Sequence, residues 1–278
     1  EIENGEAILE SNGIVYVGNR EGFHVFDGKA TKLITVGASR MGVENGVRDI
    51  KADKQGNIWF VSRYALNCYY PKTGKFRSYV IADKMTKGAA LSRLAIAPQG
   101  KFFIGTKNNG LYVYQPSLRN VPPHEIKGVG NVITYLQLTS QGEVTVSTDG
   151  SGAFLLDAKT ERIKEVYCSK ADRKHRLPSD AVYCFVKDKH GVKWFSFFRF
   201  GMCYTYYSAP VFRRYRFDGF TTEGLSVRSF YIGNQVKLIG TNDGLTYVDE
   251  AHHIVRTITP EQMDGAHIVT NIFYYKGQ

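Results

Sequence analysis

The sequence predicts an all-β fold: a β-propeller of four-stranded antiparallel blades, with about six complete repeats of ~44 residues plus a partial seventh. Three observations lead there. A glycine-led apolar segment recurs at near-constant spacing. Eighteen Tyr and seventeen Phe stand beside 28 Gly and only 8 Pro, a balance suited to strands and tight turns. Helix signals are nearly absent, and the best of them, Pro260-Glu261-Gln262-Met263, makes one turn at most.

The recurring segment reads GIVYVGN from Gly13, GNIWFVS from Gly56, GKFFIGT from Gly100, GEVTVST from Gly142 and GVKWFSF from Gly191. A sixth copy, QVKLIGT from Gln235, lacks the aligned glycine but keeps Gly233-Asn234 just before it. The spacings are 43, 44, 42, 49 and 44 residues. Upstream of each copy lies a strand-like run, as in VRDIKADKQG, LSRLAIAPQG, ITYLQLTSQG and VYCFVKDKHG; Ala7 to Ser11 serves the first unit. Downstream comes a second small residue and a strand rich in Tyr and Phe, then a turn such as Lys72-Thr73-Gly74 and a fourth strand. The second strands are apolar at both parities (Ile58-Trp59-Phe60-Val61, Phe102-Phe103-Ile104), so their sheets must be covered on both faces. Sheets stacked as blades meet that requirement. A helical solenoid lacks its helices, and a sandwich needs no such period.

After the sixth unit, residues 267–275 look like the first strand of a seventh. An open ring would expose strand edges, so the expectation is that further chain follows, and that residues 1–278 form a single β-propeller domain or a propeller fragment of a larger protein.

Composition excludes much else. The chain is 43% hydrophobic and only 22% charged, which argues against disorder, and no apolar stretch approaches the about 18 residues that cross a bilayer. No direct membrane insertion by this segment is expected.

The stretch from Val47 to Phe60 (VRDIKADKQGNIWF), followed by Leu66 to Phe76 (LNCYYPKTGKF), resembles the two-component-regulator propeller repeat. Leu177 to Val182 with Gly191 to Phe195 is similar to a second good copy, and the other four align more weakly. The resemblance implies the extracytoplasmic sensor region of a hybrid two-component system histidine kinase. It also implies a periplasmic location within a membrane-anchored protein, a homodimer in the full-length chain, and an oligosaccharide as ligand. Kinase activity would reside in other domains, so this chain is expected not to be an enzyme.

Most single motifs read as structure. Trp59 and Trp194 offer indole faces for sugar stacking, but both sit mid-strand where blades pack, and core packing is the stronger reading. Asp53 and Asp188 begin Asp-x-x-Gly turns, where the carboxylate caps the turn. The histidines at 24, 124, 175, 190, 252, 253 and 267 show no ligand spacing, and no nucleophile elbow, P-loop or dinucleotide fingerprint occurs. No cofactor or metal is expected. Of Cys68, Cys168, Cys184 and Cys203, only the pair at 168 and 184 flanks one connection that a bridge could close; free buried thiols are the default.

Charge is informative by position. Thirty-six Lys and Arg oppose twenty-six Asp and Glu, a net charge of +10. Propeller geometry puts the loops between second and third strands on the same face as the links between blades. Those loops carry Arg20, Arg63, Lys107 and Arg199, with Tyr64, Phe198 and Phe200 beside them. The links add Arg40, Lys84, Lys87 and the run Arg173-Lys174-His175-Arg176. Solvated loops are often basic. The alternative is an anion-attracting face on which Arg20, Arg63, Tyr64, Lys107, Arg199, Phe200, Arg173 and Arg176 receive an acidic oligosaccharide. Nucleic acid fits less well, because the basic residues are dispersed. The leading expectation is therefore a ligand-sensing propeller that passes its signal by conformational or dimer rearrangement. Two other readings stay open: a propeller lyase of the streptogramin or polysaccharide lyase type, and a dimerisation scaffold without a ligand. A lyase would need a base near a divalent cation on the open face; His175 is the one histidine clearly in a face loop, with no acidic cluster expected beside it.

Overall fold

The computed structural model describes residues 5–35, 46–85, 89–118, 120–206, 209–215, 226–233, 237–249, 254–264 and 268–273. Six four-stranded antiparallel sheets follow one another along the chain. Blade one comprises β1 (Ala7–Ser11), β2 (Ile14–Gly18), β3 (Phe23–Phe26) and β4 (Thr31–Ile34). Blade two holds β5 (Asp49–Ala52), β6 (Ile58–Val61), β7 (Ala65–Tyr70) and β8 (Lys75–Val80). Blade three holds β9 (Leu91–Ala97), β10 (Lys101–Thr106), β11 (Leu111–Tyr114) and β12 (His124–Ile126). In blade four run β13 (Ile133–Leu138), β14 (Glu143–Thr148), β15 (Ala153–Asp157) and β16 (Ile163–Tyr167). Blade five has β17 (Val182–Lys187), β18 (Lys193–Phe197), β19 (Met202–Tyr206) and β20 (Ala209–Tyr215); blade six has β21 (Val227–Ile232), β22 (Lys237–Thr241), β23 (Gly244–Val248) and β24 (Ile254–Ile258). The one-turn signal at Pro260–Met263 is a short 3-10 helix.

Opening strands of successive blades touch one another, so they are innermost and line the axis. Burial follows the layering. The second strands β6 and β14 are buried at every position, which explains their apolar residues at both parities, whereas the outermost β16 alternates toward solvent. Five hydrophobic clusters form, each between two neighbouring blades, as with Phe60, Ile50 and Phe23 between blades one and two. Full burial of a side chain such as Phe60 contributes roughly 1.5–3 kcal/mol, so stability resides mainly in blade-to-blade packing.

The tryptophans do what their strand positions require. Trp59 is 9% exposed and Trp194 4%. Each indole N–H donates to the aspartate that begins the preceding turn: Trp59 Nε1 to Asp53 Oδ2 at 2.8 Å, Trp194 Nε1 to Asp188 Oδ2 at 3.4 Å. The other carboxylate oxygen of Asp53 accepts the Gln55 and Asn57 N–H groups, and that of Asp188 accepts those of His190 and Val192. All four cysteines are free thiols, Cys168 half-buried and the rest buried, so Cys168 and Cys184 are not bridged.

Polar side chains tie blades together near the axis. Ser92 Oγ donates to the Ile133 carbonyl at 3.3 Å, Thr134 Oγ1 to that of Val182 at 2.6 Å, and Ser229 Oγ to that of Val269 at 3.0 Å. Val269 therefore occupies, after blade six, the place that Ile133 and Val182 hold at the start of blades four and five. No strand is assigned across residues 268–273, which departs from the seventh strand expected at 267–275; residues 267, 274 and 275 lie outside the described residues. Among the described residues the segment makes no sheet with blade one, although Asn271 Nδ2 lies 3.4 Å from the Glu6 carbonyl oxygen.

Candidate ligand-binding mouth at the propeller axis

One face of the propeller is built by hydrogen bonds between the second-to-third strand loops and the links that enter either the same blade or the next one. Leu91 N–H donates to the Arg63 carbonyl and Lys107 N–H to that of Ala90; Phe198 N–H donates to Ala181 and Val47 N–H to Asn19. The predicted loop residues thus share a face with the links, as propeller geometry requires. Asn19 also turns its side chain back on the loop, with Oδ1 accepting the Glu21 N–H at 2.9 Å.

Beneath those loops the opening strands begin, and four of them carry a β-bulge at their mouth end. The extra residue is Ser92 in β9, Thr134 in β13, Tyr183 in β17 and Arg228 in β21. A bulge re-aims the side chains around it. Arg93, next to the bulge in β9, uses Nε and Nη1 on backbone carbonyls: Thr134 at 2.5 Å, Ser92 at 3.0 Å and Arg48 at 3.4 Å. Its guanidinium is thereby fixed across blades two, three and four. Asp49 pairs with Lys51 at 2.6 Å and accepts the Leu94 N–H at 2.8 Å. Tyr135 sits deeper, where burial pushes its phenol well above the ordinary range.

The electrostatics of the mouth are one-sided. Lys107 is held below the ordinary lysine range first by partial desolvation, then by the charge of Arg48, with Arg93 and Arg63 adding to it and Glu6 opposing. Four cations therefore converge there; among the described residues Glu6 opposes them at Lys107 and is itself 3.6 Å from Arg20, while the Asp49 carboxylate is turned onto Lys51 and the Leu94 N–H. Around the axis, at blades five and six, cations and rings alternate: Arg199 lies over Phe198 at 5.0 Å, the Phe198 ring is 5.7 Å from that of Tyr183, and Arg228 lies over Tyr183 at 5.1 Å. Arg228 Nε is buried with no hydrogen-bond partner among the described residues.

The structure sorts the residues expected from sequence. Arg63 (over the Tyr64 ring at 5.1 Å), Lys107, Arg199 and the exposed Phe200 lie on the mouth face. Arg20, 86% exposed at its side chain, reaches the same face through Glu6. Arg173 and Arg176 are exposed, on a loop in which Arg176 forms a β-bridge with Cys168 just past β16, the outermost strand of blade four. Arg176 Nε donates to the Ala171 carbonyl at 3.1 Å within that loop. Among the link residues, Lys84 closes a short 3-10 turn, while Arg40 and Lys87 lie outside the described residues, as do His252, His253 and His267. Arg48, Arg93, Tyr135, Tyr183 and Arg228 were not singled out from sequence. Their one signal was a polar or tyrosine residue interrupting the apolar start of an opening strand.

His175 corrects an expectation. Acidic partners flank it: its Nδ1 is 2.9 Å from Asp172 Oδ1 and its Nε2 3.8 Å from Glu165 Oε2. Glu165 also takes Lys193 Nζ at 2.6 Å and the Tyr167 hydroxyl, so this cluster ties blade four to blade five at the rim. Two similar clamps recur, Glu161 between Lys101 and His124 and Glu143 between Lys164 and Lys187. On the face opposite the mouth, a groove of about 1040 Å³ runs across blades two, three and four, lined by Asp53, Tyr70, Arg77, Gln99 and Thr139 among others. Among the described residues, no cluster of three His, Cys, Asp or Glu is placed to hold a metal ion, and no helix is long and apolar enough to cross a membrane.

No protein family and no curated relative matches the chain in sequence. Solved structures do match in fold. The extracellular domain of BT4673 from B. thetaiotaomicron, described in one crystal structure as a one component system and in another as a hybrid two component system, gives a TM-score of 0.74 at 15% identity. The likeness covers 98% and 97% of this chain in the two cases, and 38% of the BT4673 domain. Virginiamycin B lyase from Staphylococcus aureus gives a TM-score of 0.69 at 10% identity, covering 92% of this chain and 84% of the lyase. Identities this low show a shared fold: the chain is a β-propeller of the kind that builds extracellular sensor domains and also a lyase. It spans little more than a third of the length of the BT4673 domain.

Proposed function

We propose that this chain is the ligand-sensing propeller of an extracytoplasmic, membrane-anchored sensor of a hybrid two-component system, and that it recognises an acidic oligosaccharide released from a polysaccharide. The observation that carries the reading is the convergence of Arg48, Arg63, Arg93 and Lys107 on one mouth, where Arg93 Nη1 reaches the Arg48 carbonyl and Lys107 feels the charge of all three arginines. Such a concentration of cations at a concave opening raises the local concentration of anions. Tyr64, Phe198 and Phe200 beside the cations supply ring faces for sugars. The sensor architecture is supported by the repeat resemblance and by the fold shared with the BT4673 extracellular domain. Signal transfer would follow from rearrangement between propellers or between protomers of a homodimer, and the ligand must bind the two arrangements with different affinity to shift them.

The test is a calorimetric titration of uncharged, uronate-bearing and sulfated oligosaccharides. Replacing Arg63 and Arg199 together with Ala is expected to weaken acidic ligands and flatten the salt dependence of what remains, with stability changed by only about 0.5 kcal/mol. Unchanged affinity in the folded double variant would remove this face. The likeness to virginiamycin B lyase sustains a second reading as a propeller lyase; product formation from any acidic polysaccharide would favour it over binding alone.

A further inference from the structure

We propose that the mouth contains a discrete oxyanion seat, in which one carboxylate or sulfate group of the ligand is held between Arg48, Arg93 and Lys107 at the axial end of blades two and three. This rests on the reading of the mouth as an acidic-oligosaccharide site and assigns the anchoring role to one opening-strand residue and two residues that adjoin strand ends. Arg48 directly precedes β5, Arg93 lies in β9 and Lys107 follows β10, so the seat stands on the rigid inner layer. None of the three makes an ion pair with a carboxylate among the described residues, although Lys107 feels the charges of both arginines and of Glu6. Arg93 is oriented before any ligand arrives, because three carbonyls of blades two, three and four hold its Nε and Nη1. A guanidinium fixed in this way loses little side-chain freedom on binding. Partial desolvation of Lys107 strengthens its attraction for an incoming anion. Of the carboxylates described nearby, Glu6 lies 3.6 Å from Arg20 and Asp49 pairs with Lys51, so each is partly offset by another cation. A ligand group with two or three coplanar or tetrahedral oxygens satisfies several donors at once, which a neutral hydroxyl cannot.

The experiment compares Lys107→Met and Arg48→Gln, singly and together, with the rim variant Arg63→Ala plus Arg199→Ala, all in the full chain and each checked for cooperative unfolding. The probes are inorganic sulfate at constant ionic strength, a uronate-bearing disaccharide, its sulfated counterpart and an uncharged counterpart. The expected result is a loss of about tenfold or more for sulfate and for both acidic disaccharides in each axial variant, with the uncharged sugar unaffected. Acidic disaccharides that bind folded axial variants as tightly as the parent, and weaken only in the rim variant, would overturn the seat while leaving the oligosaccharide reading intact. Inorganic sulfate that binds the parent and is lost in Lys107→Met, with every disaccharide silent, would uphold the seat and sink the oligosaccharide reading. Silence of all four probes toward the parent would overturn both.

Discussion

Ile133 fills the space above Gly105 in the neighbouring blade so closely that a Cβ on that glycine would lie 2.7 Å from Ile133 Cβ and 2.5 Å from its Cγ2. The same relationship joins Gly18 to Val47, and Gly240 to Val269, at equivalent places around the ring. A small residue near the end of the second strand is thus the socket for the β-branched or apolar residue that opens the next blade. Because Ile133 is backbone-anchored in β13, the contact is relieved only by moving whole blades apart.

Gly105→Ala should therefore destabilise the protein by about 1–3 kcal/mol, the usual range for overpacking. Ile133→Ala alone should cost about 2–5 kcal/mol by leaving a cavity, but the double variant should lose less than the sum, because removing Cγ2 relieves that part of the clash while the Cβ contact stays. Urea unfolding of the four proteins measures the coupling. Strict additivity would mean the two residues do not share this space.

The clamp at Glu143 makes stability depend on acid. Burial alone would raise this carboxyl, but hydrogen bonds and charge from Lys164 and Lys187 outweigh it, and the net shift is downward from 4.5. A depressed carboxyl contributes stability that is present above its unfolded pKa and is lost as pH falls through the folded value. Glu143→Gln should cost about 1–3 kcal/mol at neutral pH, and the gap from the parent should narrow steadily once the pH is lowered below 4.5. A gap that is the same in acid as at neutrality would show that shape, not charge, accounts for the loss.

Thiol chemistry should distinguish Cys168 from the rest. Burial pushes the Cys68 thiol up to about 12, and Cys184 and Cys203 are raised further by fuller burial. Thiolate is the reactive form. Native protein at mildly alkaline pH should thus release one equivalent of chromophore from a disulfide reagent quickly, and the other three only on unfolding. Mapping the first label to any cysteine but Cys168 would contradict the packing of those strands.

Asp53 holds a turn and an indole at once, whereas Asp188 holds its tryptophan by a longer contact. Asp53→Ala should cost about 1–3 kcal/mol and shift the tryptophan emission, and Asp188→Ala should cost less. Equal losses in thermal unfolding would imply that the turn caps, common to both, carry all of the effect.

Sequence alone determined the repeat, the four-strand unit, the doubly covered second strands and the capping role of Asp53 and Asp188. Each of those depends on residues within a few positions of one another, so spacing and residue type suffice to reveal it. Basic loops sharing a face with the links were legible for the same reason: once the repeat is known, the ends of its strands are known. The inner wall of the mouth was not. At Ser92, Thr134, Tyr183 and Arg228 a bulge adds one residue to an opening strand. One added residue reverses which side chains face the axis, so alternation in the sequence cannot say where Arg93 or Arg228 points. The contacts that fix Arg93 come from Arg48 and Thr134, 45 and 41 residues away, on blades that meet only when the ring forms. The place of Arg173 and Arg176 was not legible either: their loop is held by His175 packing on Tyr167 and by its contacts with Asp172 and Glu165. Tertiary structure decided the convergence of charge, because like charges gather at one point only when blade packing elsewhere offsets their repulsion.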